Sequence, residues 1–86
     1  MTDQEIVTLI NRSLADEFEY DLGVMTPETT LFEDMVLDSL DIVDLVIVLE
    51  TAFGIKVREE EAIRQIRTLG DIHKFVIGKK QQTVGS

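Results

Sequence analysis

The segment "VLDSLDIVDLVIVLE", Val36 to Glu50, holds one serine, Ser39, between Asp38 and a long apolar-acidic run. A hydrolytic serine needs a neighbouring base and an oxyanion hole. The single histidine, His73, lies in a distant helical segment with no evident partner and reads as a surface residue. No G-x-S-x-G elbow is present, so no catalytic residue is expected. Asp34, Asp38, Asp41 and Asp44 lack the spacing, central glycine and terminal glutamate of a calcium loop, so no metal site is expected beyond weak cation binding. No glycine-rich phosphate loop is present either. There remains Ser39 as a substrate. An exposed hydroxyl at a helix N-terminus suits attachment of a phosphodiester, because the free N–H groups and the helix dipole favour an anion there. The tripeptide Asp-Ser-Leu is also ordinary helix-capping chemistry, and on its own it decides nothing.

Composition narrows the partners. Eight Lys and Arg against seventeen Asp and Glu give a formal charge of −9 over 86 residues. That charge opposes nucleic acid and anionic membranes and favours partners with basic surfaces. It also simply keeps a small domain soluble. The absence of cysteine rules out a disulfide framework and a thiolate metal site and suits a reducing, cytoplasmic setting. "MTDQEIVTLI" lacks the basic flank and apolar core of a signal peptide, and no apolar run is long enough to span a bilayer. A monomer is expected.

The elements that must position Ser39 are helical. "TDQE" at 2–5 has the capping-box pattern, with Thr2 as cap and Glu5 reaching back. Ile6, Ile10 and Leu14 then recur every four residues, with Leu9 and Phe18 alongside, and the helix is expected to stop near "EYDLG", at Gly23. Residues 20–38 form a long connection around the only proline, Pro27, with Leu31 and Phe32 pinning it onto the core. A second helix opens at Asp38 as cap and runs to about Phe53, with Gly54 as its stop. "IKV" at 55–57 is extended, and 58–66 suggests a short third helix. Thr68 and Asp71 repeat the cap pattern ahead of a fourth helix that carries Leu69, Ile72 and Val76 on one face. The fold class is all-α: a small four-helix bundle of three main helices plus one short one, with a long loop between the first and second. The domain is 1–78, and 79–86 read as a flexible C-terminal tail.

At 100° per residue the second helix separates into two stripes. Ile42, Leu45, Val46, Leu49 and Phe53 form a core stripe, while Leu40, Val43 and Ile47 lie opposite, flanked by Asp44, Glu50 and Thr51. Either the short third helix covers the second stripe, or it is a docking face with an apolar centre and an acidic rim.

Over "DSLDIVDLVIVLETAFGI", with "LFEDMVLDSLD" before it and "RTLGDIHKFV" after, the chain resembles an acyl carrier protein across about residues 3–78. The resemblance implies a 4′-phosphopantetheine arm on Ser39, added from coenzyme A by a phosphopantetheinyl transferase. The arm's thiol would carry acyl groups as thioesters to acyl-loading and acyl-processing enzymes. It implies that Asp38 assists loading and that Leu40, Val43, Asp44, Ile47 and Glu50 form the face that partners read through basic and apolar patches. Departures from the pattern, Val36-Leu37 in place of Gly-Ala and the arginines Arg58, Arg64 and Arg67, point to a dedicated carrier of a specialised pathway at least as much as to one of bulk fatty-acid synthesis. Asp38 in place of His separates the chain from peptidyl carriers. The alternative is an acidic helical adaptor without a prosthetic group.

Overall fold

The computed structural model describes residues 2–57 and 64–85. Its elements are α1 (Asp3–Phe18), a short 3-10 turn (Leu22–Val24), α2 (Ser39–Phe53) and α3 (Leu69–Gly85). Among the described residues the fold is all-α, and extended pairing is limited to one isolated bridge between Thr30 and Thr68. The short helix expected over 58–66 lies for the most part outside the described residues; Arg64 and Gln65, at its end, are helical.

Each helix starts where the sequence supplies a reciprocal cap. Thr2 Oγ1 accepts from the Glu5 amide at 3.1 Å and Glu5 Oε1 accepts from the Thr2 amide at 2.9 Å. These bonds to Thr2 hold the Glu5 carboxyl below its ordinary pKa. Thr68 and Asp71 form the corresponding pair at α3, and Asp71 Oδ2 also accepts from the Arg67 amide. Helix α2 ends at Gly54, whose φ of 64° is the left-handed conformation that glycine adopts without a Cβ clash.

Helix α1 packs against both α2 and α3. The core takes Ile6, Ile10 and Leu14 from α1, the whole predicted stripe of α2, and Leu69, Ile72 and Val76 from α3. The 55–57 link alternates as an extended segment should, with Ile55 and Val57 buried and Lys56 exposed.

Four local expectations are corrected. Helix α1 ends at Phe18, beside "EYDLG" as expected, but its stop is Glu19 and not Gly23: Glu19 turns left-handed at φ 52° and the Tyr20 amide donates to the Ala15 carbonyl. Gly23 instead sits in the 3-10 turn, its amide held by Asp21 Oδ1. In the long loop Leu31 is fully buried, but Phe32 stays in water at 41% exposure. His73 is not a surface residue. It shares the inner face of α3 with Leu69, Ile72 and Val76, and its Nε2 lies 2.8 Å from Asn11 Oδ1 of α1. Burial lowers its pKa below the ordinary 6.5. Where the sequence predicts an aperiodic tail, α3 continues to Gly85, since "KKQQ" consists of good helix formers and no proline intervenes.

Candidate functional site

The loop before α2 is fastened to the start of α3. The Leu31 amide donates to the Arg67 carbonyl at 2.9 Å, the Leu69 amide to Thr29, and the Gly70 amide to Pro27. A Cβ on Gly70 would stand 3.0 Å from the Pro27 oxygen, so a side chain there would push the loop away. The loop then closes on itself, the Leu37 amide donating to the Leu31 carbonyl at 2.9 Å. Leu31, Met35 and Leu37 are buried, so the chain reaches Asp38 with a fixed direction.

Helix α2 begins there. Asp38 Oδ1 accepts from the Asp41 amide and Asp41 Oδ2 accepts from the Asp38 amide, both at 3.0 Å. Asp41 was not singled out as a functional residue, although its place three residues after the cap was the available signal. With Asp38 doing the capping, Ser39 at the first helical position is exposed, and no hydrogen bond among the described residues ties up its hydroxyl. The amides of Ser39 and Leu40 belong to the first turn and have no acceptor within the helix. Two outward N–H groups, the positive end of the helix dipole and a free hydroxyl thus coincide. That arrangement fits a covalently attached phosphodiester. Two shallow grooves of about 400 and 350 Å³ run beside α1, and Ser39 lines neither. Ser39 is exposed, as suits a group that another protein must reach.

The other candidate residues divide. Leu40 is 76% exposed and Ile47 54%, Asp44 is exposed and Val43 is half-buried, all on the side of α2 away from the core. Glu50 is half-buried and turned onto its own chain, with Oε2 accepting from the Val57 amide at 3.0 Å. Val36, three residues before Ser39, has φ 55° and is 75% exposed, a conformation that its Val-Leu sequence does not announce.

A family model described as "Phosphopantetheine attachment site" matches residues 8–76, most of the chain. "Acyl carrier protein 2" of Ralstonia nicotianae is 40% identical over 72 residues, covering 84% of this chain and 88% of that protein. The chain belongs to the acyl carrier protein family. An acyl carrier protein of Lactobacillus acidophilus is 34% identical over 88% of this chain and 94% of its own length. The crystal structure of an acyl carrier protein from Thermotoga maritima superposes with a TM-score of 0.77 at 27% identity, covering 94% of this chain and 93% of that one.

Membership in the acyl carrier protein family brings with it a covalently attached 4′-phosphopantetheine and a carrier role, generally a non-catalytic one, among biosynthetic enzymes. When bound, this group supplies a thiol on which acyl groups are held as thioesters, a function that no side chain of a cysteine-free chain could provide. No described helix is long and apolar enough to cross a membrane.

Proposed function

We propose that Ser39 is the attachment residue, that a phosphopantetheinyl transferase loads it from coenzyme A, and that the loaded chain delivers acyl groups to cytoplasmic enzymes of fatty-acid, polyketide or related specialised biosynthesis. The observation that carries this reading is the placing of Ser39: exposed, first in α2, and relieved of capping by Asp38. In loading, the Ser39 oxygen gains a bond to phosphorus and gives up its proton to the transferase or solvent, while the pyrophosphate link of coenzyme A breaks and adenosine 3′,5′-bisphosphate leaves. Asp38 holds the backbone so that the hydroxyl is offered outward, and its carboxylate adds negative charge where the transferase brings a metal ion. Leu40, Val43, Asp44 and Ile47 form the docking face, apolar at its centre and acidic at its rim. Glu50 acts in this face mainly by fixing the Val57 segment beneath it.

Incubation with coenzyme A and a broad-specificity transferase, followed by intact mass, tests the reading. The parent is expected to gain the mass of one arm. Ser39→Ala is expected to fold, since Asp38 retains the cap, and to gain none. Ser13 is half-buried within α1 and offers no comparable helix start. A mass gain in Ser39→Ala would sink the assignment, and a parent that gains none would leave the adaptor reading in its place.

A further inference from the structure

We propose that Val36 is a specificity-determining residue for the loading of Ser39. With Phe32 and Leu40 it forms an apolar collar that fits an apolar hollow, ringed by basic groups, at the mouth of the transferase. The inference rests on Ser39 being the attachment residue.

The backbone is the first observation. Val36 has φ 55°, a region that β-branched side chains enter only under strain. Such strain persists only where the surroundings impose it. Here they do. The 31–37 loop is closed by the bond from the Leu37 amide to the Leu31 carbonyl at 2.9 Å, and the Met35 amide donates to Thr30 at 3.1 Å. Asp34 and Thr30 exchange two more bonds, at 2.9 and 3.0 Å. Leu31, Met35 and Leu37 anchor this loop in the core.

A left-handed residue is therefore required at 36, and glycine would meet the requirement without strain. A valine there gains no packing in return, because three-quarters of its surface is in water. Its side chain thus contributes nothing to the folded domain that glycine would lack, apart from an apolar group held outward three residues before the reacting hydroxyl.

The second observation is the company it keeps. Of the six large apolar side chains left exposed among the described residues, Phe32, Val36 and Leu40 lie within the closed loop or the first turn of α2 and Ile47 further along that helix, while Leu22 and Val24 belong to the 3-10 turn. The loop residues next inside the Leu31–Leu37 bond are Phe32 and Val36, so both sit at its neck. Glu33, Asp34 and Asp38 in the same stretch, and Asp44 one helical turn beyond Leu40, are exposed. An enzyme that brings coenzyme A to Ser39 must cover this ground, since the hydroxyl cannot be reached without contact to the residues beside it. The matching surface is apolar opposite the collar and basic opposite these carboxylates.

The test compares the parent with Val36→Gly, Val36→Asn and Phe32→Ser. Each is incubated with coenzyme A and a broad-specificity transferase over a range of carrier concentration, with intact mass as the readout and a melting curve for each chain. Val36→Gly is expected to melt a few degrees higher, through release of the left-handed strain, and yet to raise KM for the carrier about tenfold with kcat changed by less than about twofold. Val36→Asn tolerates the same backbone, keeps a side chain of similar reach without its apolar surface, and should show the same rise in KM. Phe32→Ser should raise KM by about threefold, the smaller effect of a residue only partly exposed. Parental KM values in both Val36 variants would overturn the proposal, and a lower melting temperature for Val36→Gly would overturn its strain argument. A parent that gains no mass would overturn the Ser39 reading itself, a result distinct from any difference among variants.

Discussion

Helix α2 holds Leu40 and Ile47 out in water, whereas α3 places His73 in the core. Both depart from the usual division of apolar inside and polar outside, and they are resolved differently. His73 finds its partner within the chain, in Asn11 on the facing helix. Leu40 and Ile47 find none among the described residues, and contact with another molecule would take them out of water. A buried polar group must be satisfied at folding because its desolvation is costly. An exposed apolar group carries no such urgency and can wait for a partner. The α3 exception therefore speaks to stability, and the α2 exception to the docking face proposed above.

The sharpest way to break that division is to cut each side of α2 in turn. Leu49→Ala, on the inner stripe at 0% exposure, should cost about 2–5 kcal/mol and lower the melting temperature severely in a domain this small. Ile47→Asp, on the outer stripe, should melt within a few degrees of the parent. It should still weaken docking to the loading enzyme by about 2 kcal/mol, because a charge would then lie unpaired in the apolar centre of the contact. Unfolding of Ile47→Asp would show that the outer stripe belongs to the core after all.

How far these regions were legible in the sequence depended on the range of the forces involved. The inner stripe of α2 was read residue for residue, since all five positions follow from helical period alone. The caps at Thr2 and Thr68 were read because their partners lie three residues away, whereas Asp38 was read as a cap without its partner Asp41. Phe32 was misplaced because its fate depends on Leu31 bonding to Arg67, far along the chain. His73 was misplaced because its satisfaction depends on Asn11, which no local pattern pairs with it. The left-handed turns at Glu19 and Val36 escaped because backbone bonds five and six residues apart close them against the preference of the residue itself. Within the candidate site the hydroxyl, its cap and the outward Leu40 were legible, whereas the exposure of Phe32 and the turn at Val36 were not.

Removing the partner of His73 gives a smaller but informative effect. Asn11→Ala strips a buried ring nitrogen of its partner on the facing helix, and should cost about 1–3 kcal/mol with loading of Ser39 unchanged. Loss of loading at full stability would mean that α3 and the α2 surface are coupled, and that the division between them is too simple.

The finest effect is the pH dependence that His73 confers. Burial disfavours the imidazolium, so its folded pKa lies below the ordinary 6.5. Above about pH 6.5 the ring is neutral in both the folded and the unfolded chain, and its contribution is fully present. As the pH falls, the unfolded chain takes up the proton first, and stability is lost until the pH has passed through the lowered folded value. Glu5 and Asp71 also have lowered pKa values, Glu5 through its bonds to Thr2 and Asp71 through the Arg67 amide. Their contributions are lost only at still lower pH, as it falls through values that lie below the ordinary carboxylate range. The interval just below pH 6.5 therefore belongs to His73. Melting temperatures taken from pH 7.5 down to 5 should fall in the parent and fall less steeply in His73→Leu, which cannot take up the proton. If the two slopes coincide, the ring is not held neutral by burial, and the internal satisfaction that distinguishes α3 from the open face of α2 would lose its support.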